Sequence, residues 1–291
     1  MAIEVIDDLA TWRRALDASR SAGLSVGLVP TMGALHGGHM SLIRRAAAEC
    51  DVAALTDYVN PLQFGPSEDL GAYPKDLSRD CELAAEAGAQ LMFAPSPEQV
   101  WPDGEPSTSV RVSGLTDRLE GQVRPGHFDG VTTIVCKLLS VSGPCRAYFG
   151  EKDYQQLAVV SRMVGDLSLP VQVVGCPTVR EVDGLALSSR NAYLSPEERA
   201  VASRLYHSLL AGKRLVEEDA VTDPAWVEAA IAEHLGAERR FEVDYAAVVD
   251  PADFKRPERI GSGEVRLLAA ARLGKARLID NMAATPAAAQ Q

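Results

Sequence analysis

The chain has 291 residues, 46% of them apolar and 24% charged, with 40 acidic against 29 basic side chains. That composition excludes collagen-like and disordered classes, and no run of ~18 uninterrupted apolar residues offers a membrane span. A net charge of −11 disfavours a protein that grips nucleic acid by its phosphates. The opening residues Met1-Ala2-Ile3-Glu4-Val5-Ile6-Asp7-Asp8 carry neither the basic nor the apolar region of a secretion signal. The five cysteines include no Cys-x-x-Cys pair and read as buried, reduced thiols of a cytoplasmic protein, not as a disulfide frame or zinc site. Length alone predicts two domains.

Residues 25–29 read as a strand closed by Pro30, residues 39–50 as a helix, and residues 51–59 as a second strand broken by Asn60-Pro61. A helix over 77–87, a short strand over 90–94 and a loop over 95–106 follow. Helices over 131–141 and 153–167 flank a strand over 146–150, and a further strand covers 171–176. Strands alternating with helices predict a parallel sheet covered on both faces. After Pro177 the pattern changes. Ser195-Pro196-Glu197-Glu198 is a helix start, with Ser as N-cap and Glu198 three residues beyond it. That helix is expected to run to about residue 218, with another over 224–235. Apolar runs at 242–249, 264–271 and 276–282 predict an antiparallel sheet with a turn near Leu273-Gly274-Lys275. The expected organisation is a doubly wound α/β domain over 1–178, a smaller C-terminal α+β domain over 179–283 and a frayed tail over 284–291.

Pro30-Thr31-Met32-Gly33-Ala34-Leu35-His36-Gly37-Gly38-His39 lies where the first of these strands hands over to a helix, beyond the strand end where open α/β sheets take ligands. His36 and His39 are spaced to share one helix face. Gly37 and Gly38 let backbone approach a ligand, and free amides with the helix dipole favour a phosphate. Alone, a His-x-Gly-His stretch fits a glycine-rich turn with surface histidines equally well. Tyr148-Phe149-Gly150-Glu151-Lys152-Asp153-Tyr154-Gln155-Gln156 is a second strand-to-helix handover. There Lys152 offers a point charge for phosphate oxygens, and Asp153 either caps the helix or holds ribose hydroxyls. Leu187-Ser188-Ser189-Arg190-Asn191 puts two hydroxyls and a guanidinium on a loop between the domains, either a phosphate clamp or an ordinary turn. No Gly-x-Gly-x-x-Gly joins a strand to a helix, which excludes a dehydrogenase.

Together these stretches resemble the nucleotidyltransferase superfamily that includes class I aminoacyl-tRNA synthetases, with Ser-Ser-Arg standing for that superfamily's Lys-Met-Ser-Lys-Ser loop. Within it, Pro30-Thr-Met-Gly-Ala-Leu-His36, Val59-Asn-Pro61, Gln63-Phe-Gly65, Phe149-Gly-Glu-Lys-Asp-Tyr-Gln-Gln156 and Ser188-Ser-Arg-Asn191 resemble the pantoate–β-alanine ligase (pantothenate synthetase) family. Arg124-Pro-Gly-His-Phe-Asp-Gly130, Pro177-Thr-Val-Arg-Glu181 and Leu278-Ile-Asp-Asn281 extend the resemblance collinearly over residues 1–282. The family condenses pantoate with β-alanine, converting ATP to AMP and pyrophosphate through a pantoyl adenylate. The resemblance implies a Rossmann-like fold, Mg²⁺ held by the ATP phosphates without metal ligands from the protein, and a cytoplasmic homodimer needing neither nucleic acid nor membrane. It implies that Met32, Gly33, Ala34, Leu35, His36, Gly37, Gly38 and His39 line ATP, with His39 as proton donor. Gly150, Glu151, Lys152, Asp153, Val179, Leu187, Ser188, Ser189 and Arg190 would complete the nucleotide site, with His36, His39, Lys152 and Arg190 as the catalytic groups. Gln63 and Gln156 would hold pantoate, Gln63 also touching β-alanine, with Asn60, Pro30 and Thr31 in the same pocket.

Those roles fit the chemistry. An Arg ion pair would quench the attacking carboxylate, whereas the neutral amides of Gln63, Gln156 and Asn60 orient it without neutralising it. Lys152, Arg190 and the histidines belong on the triphosphate. No residue is assigned as general base for the amine. The alternative on the same histidines is an adenylyltransferase acting on a phosphorylated small molecule.

Three positions depart from the family pattern. Leu187 replaces a usual Met, a volume-similar exchange. Tyr58, on the same face as Asn60, is expected to add a hydroxyl to the pocket. Asp57, an acid in a central parallel strand, needs a partner and should point away from Asn60. Arg124 and His127 either shape the loop around Gly126 or touch substrate, and Tyr73 either walls the pantoate pocket or packs. Asp80 is either a solvated charge or a supporting group, and His207 and His234 read as surface or packing residues.

Overall fold

Alternating apolar runs and amphipathic segments produce six parallel strands. They are β1 (Glu4–Ile6), β2 (Val26–Thr31), β3 (Val52–Asp57), β4 (Leu91–Phe93), β5 (Cys145–Gly150) and β6 (Val171–Cys176), ordered β1-β4-β3-β2-β5-β6. Strand order reverses between β2 and β5, so the carboxyl ends of these two neighbours flank the topological switch point. The connecting helices are α1 (Leu9–Ser21), α2 (Gly37–Glu49), α3 (Leu77–Glu86), α4 (Pro97–Val100), α5 (Glu120–Val123), α6 (His127–Ser142) and α7 (Tyr154–Asp166). This is the doubly wound α/β class that the alternation predicts. β2 and β3 are buried along almost their whole length, as strands covered on both faces must be. On one face Val29, Leu55 and Met92 pack with Ile43 and Ala46 of α2 and Ala84 of α3. Trp12 of α1 stacks on Phe93 at 5.3 Å between ring centroids.

The computed structural model describes residues 3–65 and 70–286, and the chain divides into two units. The first holds residues 1–151 and 156–177, and the second holds residues 152–155 and 178–291. In the second unit α8 (Pro196–Ala202), α9 (Arg204–Glu217) and α10 (Pro224–Gly236) accompany an antiparallel sheet of β7 (Phe241–Val249), β8 (Val265–Leu273) and β9 (Ala276–Ala284). Leu205, Leu209, Ile231 and Leu235 from the helices pack on Leu267, Ala269 and Leu278 from the sheet. The β8–β9 hairpin turns at Gly274, whose φ of 58° lies in the left-handed region. No helix among the described residues is long and apolar enough to cross a membrane.

Several expectations shift. β1 is too short, at three residues, for alternation to show, whereas α1 carries an Asp8 N-cap and apolar Trp12 and Leu16 at helical spacing and lies ahead of the first element expected. β2 continues through Pro30 to Thr31 because pairing with β3 extends to Thr31 while the registered pairs with β5 end at Leu28. α6 begins at His127, four residues before its apolar run. The helix expected from Ser195 to about residue 218 is two helices, interrupted by a tightened turn at Ser203 (φ −63°, ψ −11°). A change of that size in one ψ leaves no mark on apolar periodicity. The expected tail starts too early: Ala284 ends β9, and Thr285 N donates to Glu217 Oε1 at 3.0 Å. Residues 287–291 lie outside the described residues.

The start of α8 is the capping box that the sequence spells. Ser195 Oγ accepts from Glu198 N at 3.2 Å, and Glu198 Oε2 accepts from Ser195 N at 2.8 Å. Ser195→Ala removes one half of this exchange and is expected to cost about 1 kcal/mol, read as a lower urea midpoint without loss of helical circular dichroism.

Candidate active site

The segment leaving β2 is shaped by side-chain acceptors. Thr31 Oγ1 donates to Thr56 O at 2.6 Å and accepts from Gly33 N at 3.2 Å. Gly33 (φ 76°) and Ala34 (φ 51°) then follow in the left-handed region, which costs an alanine energy. The turn is held from α3. Asp80, only 2% exposed, accepts from Ala34 N at 2.8 Å through one oxygen and from Leu35 N at 2.7 Å through the other.

His36 is the N-cap of α2, and its Nδ1 accepts from Gly38 N at 3.1 Å, which puts the ring proton of the neutral imidazole on Nε2. His39 sits on the first turn of α2 with its ring centroid 4.2 Å from that of His36, so the expected shared face is real. The loop differs from an open cradle of amides, however. The N–H groups of Ala34, Leu35 and Gly38 are taken by Asp80 and His36. What this loop offers a phosphate is an imidazole pair at a helix N-terminus.

Asp57 ends β3 facing Gly33. A Cβ at position 33 would meet Asp57 Oδ1 at 2.4 Å and Asp80 Oδ2 at 3.0 Å, so both carboxylates converge on a space that only glycine leaves open. Burial, and after it the charge of Asp80, push the Asp57 carboxyl up to about 6. The partner that the sequence demanded for this strand acid is a second acid. Asp80 is itself a supporting group of the loop, not a solvated charge.

The candidate pantoate residues form a second assembly. Asn60, 1% exposed, donates through Nδ2 to Gln63 Oε1 and to Gly130 O, both at 3.1 Å. With Gln63 Oε1 thus committed as acceptor, Gln63 Nε2 is the donor, and it rests on Met32 Sδ at 3.0 Å. A thioether is a weak acceptor, so a carboxylate would take this donor readily. The backbone carbonyl of Gln63 accepts from His127 Nδ1 at 2.8 Å and from Arg124 Nη2 at 3.4 Å. Because a carbonyl only accepts, His127 carries its proton on Nδ1, and its Nε2 accepts from Arg124 Nη1 at 3.0 Å. Arg124 and His127 therefore hold the Gln63 backbone. Tyr73 is buried edge-on to Phe64 at 6.0 Å. Tyr58 is buried with its hydroxyl beside Trp101, not in a pocket with Asn60, because the chain leaves the strand after Asp57 and period-two alternation no longer applies.

In the second unit Val179 and Leu187 face each other across a narrow hairpin, Leu187 N donating to Val179 O at 2.9 Å. Ser188 caps the helical turn Ser189–Tyr193, its Oγ accepting from Arg190 N at 3.3 Å. Lys152, Ser188 and Asn191 line one small cavity together with Asp280. Asn281 Nδ2 donates to the Lys152 carbonyl at 2.8 Å and its Oδ1 accepts from Arg266 Nε at 2.8 Å. Arg180 forms a two-pronged ion pair with Asp280, whose side chain is 2% exposed. Sequence reasoning assigned Asn281, Asp280 and Arg266 no role. For Asp280 and Asn281 the signal in the sequence is the stretch Leu278-Ile-Asp-Asn281, which carries part of the family resemblance, and Arg266 has none. Cys50 and Cys176 are buried thiols, whereas Cys81, Cys136 and Cys145 are only half-buried, and all five are free.

A doubly wound sheet whose switch-point loop carries an imidazole pair on a helix N-terminus defines a class of α/β enzymes that take their ligand at that point. Comparison with known proteins narrows the class. The family model of pantoate–β-alanine ligase matches residues 4–283. The pantothenate synthetase of Moorella thermoacetica is 48% identical over 96% of this chain and 98% of its own, and that of Heliobacterium modesticaldum is 49% identical over the same shares. The crystal structure of pantothenate synthetase from Thermus thermophilus superposes with a TM-score of 0.90 at 49% identity, covering 96% of this chain and 99% of that one. The pantoate–β-alanine ligase of Francisella tularensis, complexed with β,γ-ATP and β-alanine, superposes at 0.78 with 32% identity over 97% of each chain. The chain belongs to the pantoate–β-alanine ligase family and is a ligase.

The Gln63 assembly depends on a close approach that one glycine permits. A Cβ at Gly130 would meet Leu62 O at 2.1 Å and Gln63 N at 2.7 Å, both backbone atoms. Gly130→Ala is expected to push residues 60–63 off α6, lower the melting temperature by several degrees and raise KM for pantoate more than KM for ATP. Equal changes in both KM values would show that the residues 60–63 do not serve the acid substrate.

Proposed function

We propose that this chain joins pantoate to β-alanine in two steps on ATP. A pantoate carboxylate oxygen attacks the α-phosphorus, the bond to the β-phosphate oxygen breaks, and pyrophosphate leaves with the electron pair. The neutral amine of β-alanine then attacks the acyl carbon of pantoyl adenylate, AMP departs, and the nitrogen loses a proton. The observation that carries this reading is family membership over residues 4–283.

The residues fit these steps by chemistry. His36, with its donor on Nε2, and His39 act on phosphate oxygens whose charge grows during attack. Residues 32–35 and 37–38 supply the turn that presents the imidazoles. Lys152 and Arg190, with Gly150, Glu151, Asp153, Val179, Leu187, Ser188 and Ser189, complete the groups assigned to the nucleotide. Gln63 Nε2 and Gln156 orient pantoate beside Pro30 and Thr31 without neutralising the nucleophile, and Asn60 acts by fixing which end of the Gln63 amide donates. Among the described residues no group of three or more His, Cys, Asp or Glu is arranged to hold a metal ion. Mg²⁺ would ride on the triphosphate, where it would neutralise phosphate charge. Homodimerisation and a cytoplasmic location belong to the same reading, and solution mass tests the first.

The deciding assay supplies ATP, pantoate and β-alanine and follows AMP, pyrophosphate and pantothenate. Stoichiometric formation of all three is expected. A dinucleotide-like product, or no AMP from folded protein, overturns the reading. His39→Ala is expected to lower kcat by about 10²–10³ with a circular dichroism spectrum unchanged from the parent.

A further inference from the structure

The two acids at Gly33 do more than fill the space beneath the nucleotide loop. Asp80 has both oxygens committed, one to Ala34 N and one to Leu35 N. Asp57, at the end of the neighbouring strand, directs Oδ1 at the same point that Asp80 Oδ2 approaches. Two ionised carboxylates so close repel, and the amides that would compensate are already shared out to one of them. A single proton between the pair removes the conflict, because a protonated Asp57 donates to Asp80 and leaves Asp80 acceptor-only toward the loop.

We propose that Asp57 is a positioning residue for the nucleotide loop, acting as the protonated partner that keeps Asp80 on the amides of Ala34 and Leu35, so that nucleotide binding is coupled to proton uptake at this pair. The proposal rests on the reading that residues 32–39 bind ATP.

Among the described residues, the ionisable groups bearing on Asp57 are Asp80 and Cys81 on α3 and Lys75 ahead of that helix. Burial first, then the nearby Asp80 carboxylate, raise the Asp57 carboxyl, and among the described residues Lys75 opposes them. The Cys81 thiol is itself raised by burial and by both acids, so it adds no charge near neutrality. The sign follows. Below about 6 Asp57 holds its proton and the pair carries one charge; above it the pair carries two, and their repulsion works against the Asp80 clamp on Ala34 and Leu35. A triphosphate bound by the same loop brings further negative charge, which favours the protonated pair. Binding therefore draws a proton in, and affinity falls as pH rises.

The test compares the parent with Asp57→Asn, which can donate to Asp80 but cannot ionise. MgATP is titrated calorimetrically at several pH values in buffers of different ionisation enthalpy, and KM for ATP is followed from pH 5.5 to pH 8.5. Using one nucleotide at saturating Mg²⁺ throughout cancels the titration of ATP itself. The parent is expected to take up a fraction of a proton more than the variant. Its KM for ATP should rise with pH by up to about tenfold, the ratio for a one-unit coupling of proton to nucleotide, while the variant profile stays flatter. Should Asp57→Asn fail to fold, Asp57→Ala, which also cannot ionise, serves in its place. Identical proton uptake and identical pH profiles in parent and variant overturn the inference while leaving the proposed function standing. Absence of ATP binding by the folded parent at every pH overturns both.

Discussion

The conformation of the loop after β2 rests on one buried carboxylate. Left-handed backbone at Ala34 costs on the order of 1–3 kcal/mol, and nothing in the local sequence offsets it. Two hydrogen bonds from backbone amides to a charged acceptor each contribute roughly 1.5–3 kcal/mol, and Asp80 accepts two such bonds in succession, from Ala34 and Leu35. The clamp outweighs the strain. Because the turn is set before α2 begins, His36 reaches the N-cap position and His39 follows on the same face. The imidazole pair thus depends on an acid more than forty positions further along the chain.

A similar economy governs the neutral half of the first unit. Gln63 is fixed at three points: its side-chain oxygen by Asn60, and its carbonyl by His127 and by Arg124. All the charge in this assembly sits on Arg124, which spends itself on a carbonyl and on His127 and not on the side-chain amide. The amide nitrogen that remains is an oriented but uncharged donor, suited to a nucleophile whose charge must survive until attack. Asn60 also ties the assembly to α6 through Gly130, where the absence of a side chain lets the two backbones approach.

In the second unit the hairpin bearing Val179 and Leu187 is anchored to β9 by the ion pair of Arg180 with Asp280. A pair this buried gains only when its geometry is good and its other lone pairs are met. Both conditions hold, since the guanidinium binds with two nitrogens and Asp280 Oδ1 also accepts from Asn281 N at 2.7 Å. Asn281 in turn ties down the carbonyl of Lys152. Lys152 is held by its backbone, and its ammonium lies 3.7 Å from Asp153 Oδ1.

The amino-acid order by itself determined the class of the first unit, the capping box of α8, the hairpin at Gly274 and the neighbourhood of His36 with His39. Each is a local pattern, set by periodicity or by spacing of a few residues. It also showed that Asp57 was anomalous, though not what it faced. Tertiary structure alone decided that Asp80 and Asp57 meet at Gly33, that Arg124 and His127 serve the Gln63 carbonyl, that Tyr58 turns toward Trp101, and that the amides of Ala34 and Leu35 are taken by Asp80. These contacts join residues far apart in the chain, and their partners are chosen by the packing of whole elements. A hydrogen bond across such a separation leaves no periodicity in the sequence, because its two ends are fixed by the sheet order and the helix seated between them.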